Sequence, residues 1–225
     1  MSLLAIGINR FVVAAIPLAM MLTYRVLQLL AGAIHHDRFT ADSLVTLNYF
    51  GGGLLMAVAF GYPLWAGLRG TLPPAKGRSP LSATRPWHPP SSARAALGLL
   101  GGFYVGLGLV FLVHGANAKP LWFDASGITP LTARLFASPL TGLGLGLVLV
   151  ARARDWRAVL VPAIGMATIG ILGTLSLMVD RADFAPQSAG AWLTAATPLL
   201  LLLIGLALLI SESSLSAGAP RGSPH

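Results

Sequence analysis

The chain has 225 residues, of which 55% are hydrophobic and only 10% charged, and its formal net charge is +8. Charged residues make up about a quarter of an ordinary soluble domain, so this composition predicts a membrane protein. Basic residues in such proteins mostly set orientation, and no basic-aromatic motif accompanies them here, so we expect no nucleic-acid partner. The lack of cysteine excludes disulfides, thiolate catalysis and cysteine metal ligands.

Six stretches are apolar and long enough to cross a bilayer, which takes about 20 residues. The predicted spans cover residues 7–30, 44–68, 95–114, 130–150, 158–179 and 191–210, each to within a few residues. Ala31-Gly32-Ala33 resembles a signal-peptide cleavage site, but Arg25 lies between it and the apolar run, which favours an uncleaved first helix. The sequence therefore predicts an all-α, polytopic transmembrane helix bundle with six membrane-spanning helices.

Composition shifts divide the chain further. We predict an N-terminal transmembrane hairpin at 1–69, a four-helix transmembrane unit at 95–210 and a disordered tail at 211–225. Residues 70–94 hold repeated prolines among serine, lysine and arginine, which is typical of an extended linker. With the N-terminus inside, the inner segments hold ten basic and two acidic residues, and the outer segments hold five of each. The positive-inside rule then predicts an N-in/C-in protein whose linker and tail are cytoplasmic.

Small residues recur at four-residue spacing in three of the predicted spans. This spacing places them on one helix face, where neighbouring backbones can approach closely. We expect packing grooves inside the molecule, with contacts to a second copy or to another membrane protein as the alternative. The three sets are Gly53, Ala57 and Gly61; Gly98, Gly102 and Gly106; and Ser138, Gly142 and Gly146.

A polar break at residues 122–134 separates the third span from the fourth. Thr129 followed by Pro130 predicts a helix N-cap with proline at the first helical position. Arg134 then lies about one turn inside the helix, near the positive end of its dipole, where a cation is unfavourable. Either a carboxylate of Asp124, Asp180 or Asp183 pairs with it, or it binds an anionic ligand, or it reaches lipid phosphates.

Two further polar residues are candidates for a ligand site or an ion pair. Arg25 follows Arg10 by fifteen residues, about 22 Å along a helix, so we expect it near the outer headgroups. Asn48, early in the second span, is expected to cap a carbonyl or bridge two helices.

Three histidines, His35, His36 and His114, are predicted at the outer face and are weak candidates for metal or haem ligands. Adjacent helical residues point about 100° apart, so His35 and His36 would not readily share one ion. We therefore predict no cofactor and no metal site. No Asp, Glu or Lys falls in the centre of a predicted span, and no Walker, G-x-S-x-G or H-E-x-x-H motif occurs. We therefore assign no catalytic residue and do not expect an enzyme.

The segment from Trp122 through TPLTAR at 129–134, with the glycine-rich helix after it, resembles a family of uncharacterised bacterial multi-pass membrane proteins. In that family a tryptophan-containing outer break leads into TPLTAR. Its usual Trp-Pro-Trp is replaced here by Leu121-Trp122-Phe123. The resemblance implies a multi-pass protein of the bacterial inner membrane and implies no activity.

The sequence favours a non-enzymatic accessory, assembly or structural component of the membrane. The first alternative is a facilitated carrier of a small solute or lipid, which predicts a polar cavity reaching the midplane and lined by Asn48, Thr168 and Thr174. The second alternative is a metal- or haem-binding membrane protein. A dry interior packed by glycine would favour the accessory component over the carrier.

Overall fold

The computed structural model describes residues 11–39, 43–69, 86–115, 117, 129–179 and 189–217. Over these residues the chain is all-α, without β-strands, and has six helices long and apolar enough to cross a membrane. The second, α2, is an unbroken succession of the short helix Leu44–Leu47, the π-helical turn Asn48–Gly52 and the helix Gly53–Leu68. The other five are α1 (Phe11–Ile34), α3 (Ser91–His114), α4 (Pro130–Arg152), α5 (Trp156–Val179) and α6 (Ala189–Ala217).

The predicted spans match these helices closely, and the differences have local causes. Helix α3 begins at Ser91, four residues before the predicted start, directly after Pro90, whose extended backbone (φ −51°, ψ 147°) ends the linker. Helix α6 continues to Ala217, although residues from 211 onward were predicted as a disordered tail. The predicted start of the first span, at residues 7–10, lies outside the described residues, as does most of the linker.

Consecutive helices run antiparallel, so the helix ends gather at two ends of the bundle. We call one the Arg134 end; it contains the end of α1, the starts of α2, α4 and α6, and the end of α3. The other, the Arg157 end, contains the end of α2 and the turn between α4 and α5. Helices α3 and α4 pack most closely, as do α5 and α6, while α1 lies against α2, α4 and α5. Helix α2 packs mainly on α1 and is therefore peripheral.

The contact between α3 and α4 depends on glycine. A β-carbon at Gly101 would lie 2.7 Å from the carbonyl oxygen of Gly144, and one at Gly144 would lie 2.6 Å from that of Gly101. Two turns further along, a β-carbon at Gly108 would meet the backbone of α4 at Ala137 and Thr141. The two backbones are in close contact, and the buried Tyr104 and Phe111 complete the α3 face.

Two of the three predicted small-residue faces are packing grooves. Gly53 and Gly61 receive Leu29 and Leu22 of α1, and Gly142 and Gly146 receive Met20 of α1. The third predicted face, at Gly98, Gly102 and Gly106, does not form a groove within the described structure, so that prediction was wrong. A β-carbon at Gly98, Gly102 or Gly106 would meet no atom within 4 Å in the described structure, because α3 turns Gly101 and Gly108 toward α4 instead.

The Arg157 end is held together by the last residues of the predicted linker. Trp87 is 3% exposed, lies 6.3 Å from the ring of Trp156, and donates its N–H to the carbonyl of Arg154 at 3.0 Å. Arg94 in turn donates to the carbonyl of Trp87 at 3.2 Å. Residues 86–94 are therefore part of the bundle. In the sequence, only a single tryptophan among prolines distinguishes these residues from the rest of the linker, and that pattern does not show that Trp87 is buried.

Candidate functional site

Arg134 joins three helices at the Arg134 end. Thr129 caps α4 as predicted, its hydroxyl accepting from the N–H of Thr132 at 3.1 Å, with Pro130 at the first helical position. Arg134 is half-buried one turn later. Its Nε donates to the carbonyl of Leu112 at 3.1 Å, and its Nη1 donates to Nε2 of His35 at 2.5 Å.

These contacts resolve the mismatch between the Arg134 cation and the N-terminus of α4. Because α3 is antiparallel to α4, the guanidinium lies against the C-terminus of α3, where unpaired carbonyls carry partial negative charge. Gly115 ends α3 with φ +53°, a conformation that favours glycine, and lies beside the guanidinium. Asp124, Asp180 and Asp183, the predicted carboxylate partners, lie outside the described residues.

The three histidine candidates do not converge. His35 accepts from Arg134, and since arginine can only donate, this bond requires a neutral imidazole with its proton on Nδ1. His36 and His114 are exposed. Within the described residues, no group of three or more His, Cys, Asp or Glu side chains is placed to hold a metal ion.

Arg25 lies level with the middle of the neighbouring helix α2. A β-carbon at Gly142, in the middle of α4, would lie within 4 Å of Met20 and Tyr24, which are one helical turn apart on α1. On α2, Gly61 contacts Leu22 and Gly53 contacts Leu29, which places Arg25 level with the middle of that helix. That Arg25 lies near the outer headgroups stays a prediction, because residues 7–10 of the predicted first span lie outside the described residues.

The guanidinium of Arg25 is fixed by a small polar network. Its Nη1 donates to Oε1 of Gln28 at 2.9 Å, and the cation lies 5.2 Å from the ring centre of Tyr24. The side-chain amide of Gln28 also donates to the hydroxyl of Tyr24 at 2.9 Å. The backbone carbonyl of Gln28 accepts from the hydroxyl of Tyr49 of α2 at 2.5 Å. Arg25 Nε is buried and has no described hydrogen-bond partner. Within the described part of the chain, this cation has uncharged polar partners.

Sequence reasoning missed Tyr24, Gln28 and Tyr49. A signal existed for two of them, since Gln28 follows Tyr24 by four residues and Arg25 by three, so the side chains meet on one helix face. Tyr49 could not be found in this way because it comes from α2. Its ring reaches α1 where Gly32 leaves room, and it packs against Phe39 and Phe50 with ring centres 5.0 and 5.1 Å away.

The residues predicted to line a polar cavity do not meet. Asn48 is exposed in the π-helical turn of α2, and that it caps a carbonyl or bridges two helices stays a prediction. Thr168 is exposed on α5, and Thr174 donates to the carbonyl of Gly170 in its own helix at 2.7 Å. The interior contains instead an apolar cavity of about 280 Å³ between α3, α4, α5 and α6. Its lining includes Leu107, Phe111, Phe136, Leu140, Leu193 and Leu201.

One polar contact borders this cavity. The hydroxyl of Tyr104 on α3 donates to that of Thr197 on α6 at 3.0 Å, and Thr197 donates to the carbonyl of Leu193 at 2.8 Å. This bond ties the pair α5 and α6 to α3 across a region where these helices pack only loosely.

Comparisons with known proteins add nothing to this geometry. No protein-family model, no curated protein and no solved structure matches the chain.

Proposed function

We propose that this multi-pass membrane protein is a non-enzymatic accessory or assembly component, which acts by packing against other membrane proteins. The proposal rests on one observation: polar side chains in the spans bond to other helices of this chain. Arg134 with His35, and Tyr104 with Thr197, join helices of this chain to one another. A carrier needs polar groups along a shared path near the midplane, and the tight contact between α3 and α4 offers none.

We place the protein in the bacterial inner membrane with the Arg157 end in the cytoplasm. The resemblance of residues 122–134 to bacterial multi-pass proteins supports the location. The charges support the orientation, since the described helix ends and turns carry five arginines and two acidic residues, Asp155 and Glu212, at the Arg157 end but two arginines and one aspartate at the Arg134 end.

Reconstitution tests the proposal. The full-length chain is placed in vesicles, and efflux of small solutes and transbilayer movement of a fluorescent lipid are measured against protein-free vesicles. We expect equal rates in both. A saturable flux that scales with protein content would overturn the accessory role.

A second candidate, a carrier of a lipid or small apolar solute, is favoured by the apolar cavity alone. Its volume of about 280 Å³ is near the lower limit for ligand pockets. Ile169 and Ser176 of its lining are exposed on the side of α5, so the cavity communicates with the surrounding membrane. Protein-dependent movement of the fluorescent lipid, without solute efflux, is the result that this candidate predicts.

A further inference from the structure

The apolar cavity between α3, α4, α5 and α6 follows the direction of the helices. Its lining on α5 extends from Ile169 to Leu177, and its lining on α6 extends from Leu193 to Leu201. Eight residues of an α-helix rise about 12 Å, so both helices give the same length for the cavity. The long direction of this space is therefore that of the lipid chains in a bilayer around the bundle.

Two helix ends that the structure describes fix the depth of the cavity. Helix α3 ends at His114, before Gly115, and α4 begins at Pro130. Phe111 of the lining lies three residues, about 4.5 Å, from the end of α3, and Leu140 lies ten residues, about 15 Å, from the start of α4. Half of a hydrocarbon core is about 15 Å thick. The cavity therefore covers the depth of the acyl chains in the leaflet at the Arg134 end.

The cavity is open to the membrane on the side of α5. Ile169 of its lining is 52% exposed and Ser176 is exposed, whereas Phe111 and Leu201 of the same lining are each 1% exposed. Most of the lining is apolar, and a trapped water needs two to four polar partners, so water does not fill such a space. The medium on the open side is hydrocarbon.

The size of the cavity suits one hydrocarbon chain. Its volume of about 280 Å³ is roughly twice that of an apolar cavity of about 150 Å³ that takes up one benzene, so it holds on the order of ten carbon atoms. With carbon–carbon bonds of about 1.5 Å, an extended chain of that many carbons is about as long as the cavity. A filled cavity also restores the van der Waals contacts that its lining would otherwise lack.

We infer that this cavity holds one acyl chain of a membrane phospholipid as a resident ligand. The chain fills the gap between the pair α3 and α4 and the pair α5 and α6, across which the hydroxyls of Tyr104 and Thr197 also bond. The carrier candidate treats the cavity as a path for cargo. Here the lipid is part of the folded protein, so the inference goes beyond the accessory role and does not depend on it.

A helix of a partner protein is the competing occupant, and the dimensions of the cavity exclude it. A helix with its side chains is about 10–12 Å across, so a 12 Å length of it occupies on the order of 900 Å³. That volume is several times the 280 Å³ of the cavity. A single flexible chain fits the space, and a second helix does not.

Photolabelling tests the inference. The full-length chain is reconstituted in vesicles of phosphatidylcholine that carries a diazirine in the middle of one acyl chain, and mass spectrometry locates the labelled residues after irradiation. Surrounding lipid reaches exposed residues, but only a chain inside the cavity reaches Phe111 and Leu201. Leu147 and Val159 are the matched controls, because both are 0% exposed and neither lines the cavity. We expect at least about tenfold more label on the first pair, since a close-packed interior admits no chain. Equal labelling of the two pairs would overturn the inference.

Two tryptophan variants of α5 assign the label to the cavity. Leu177→Trp fills the cavity from its lining, whereas Leu175→Trp adds the same bulk two residues away, at a position that is 53% exposed and outside the lining. We expect Leu177→Trp to lower the label on Phe111 to the level of Leu147, and Leu175→Trp to leave it unchanged. Ser176→Leu is a second filling variant should Leu177→Trp fail to fold. Undiminished label on Phe111 in a folded filling variant would overturn the inference.

The same vesicles separate this inference from the proposed function. Absence of label on the buried lining, together with absence of flux, refutes the resident chain and leaves the accessory role standing. Label on the buried lining without movement of lipid between leaflets supports the resident chain. Label accompanied by protein-dependent movement of lipid makes the chain cargo, which overturns both the resident chain and the accessory role.

Discussion

The close contact of α3 and α4 predicts opposite effects for one substitution at two adjacent positions. A methyl group at Gly101 would lie 2.7 Å from the carbonyl oxygen of Gly144 and 2.9 Å from the backbone nitrogen of Val148, so the helices must separate. Such overpacking costs about 1–3 kcal/mol. A methyl group at Gly102 meets nothing within 4 Å in the described structure, and replacing glycine by alanine within a helix gains about 0.5–1 kcal/mol.

Both variants gain the same helix stability from alanine, so the difference in stability between Gly101→Ala and Gly102→Ala equals the cost of overpacking at Gly101. It corresponds to a difference in Tm of about 2–12 °C for a chain of this size. Thermal unfolding in detergent, followed by fluorescence, measures it. We expect Gly102→Ala at or above the Tm of the native chain and Gly101→Ala below it. Equal values for the two variants would refute the assignment of Gly101 to the interface.

The remaining predictions concern polar contacts and use the same unfolding measurement. Thr129→Ala should lose about 1 kcal/mol with the helix cap of α4, while Thr129→Ser should keep it; equal losses would contradict the cap. Tyr104→Phe and Thr197→Val should each cost about 1 kcal/mol, and the double variant should cost less than their sum; additive losses would show that the hydroxyls do not interact. Arg134→Lys should destabilise almost as much as Arg134→Gln, because lysine cannot bond both Leu112 and His35 at the fork geometry; a fully stable Arg134→Lys would mean that charge alone matters.

The number, type and approximate bounds of the helices followed from the sequence, because a bilayer demands runs of about 20 apolar residues. The predicted span 44–68 begins and ends where α2 does, and Thr129 with Pro130 correctly predicted the start of α4. What periodicity could not supply was the rotation of a helix. In α3, Gly101 and Gly102 are adjacent, and both faces of the helix carry glycines at close spacing, so the pattern did not reveal which face meets α4.

The candidate sites were predicted as single residues and only in part as contacts. Arg134 was singled out by its position near a helix N-terminus, but its acceptors lie 22 and 99 residues away and depend on how α1 and α3 pack. Arg25 was predicted near the outer headgroups from its distance to Arg10 along the helix. Its level beside the middle of α2 follows from the contacts of Leu22 and Leu29 with that helix, and no local pattern contains them.

The depth of Arg25 in the bilayer can be measured directly. The native chain has no cysteine, so single spin labels at the exposed Met21, Val26 and Ile34 report their depths through collisions with oxygen and with a water-soluble nickel complex. The structure predicts nearly equal depths for Met21 and Val26, each within about 4 Å of the centre, and a shallow Ile34. A label at Val26 that lies about 7 Å shallower than one at Met21 would place Arg25 near the headgroups and contradict the account.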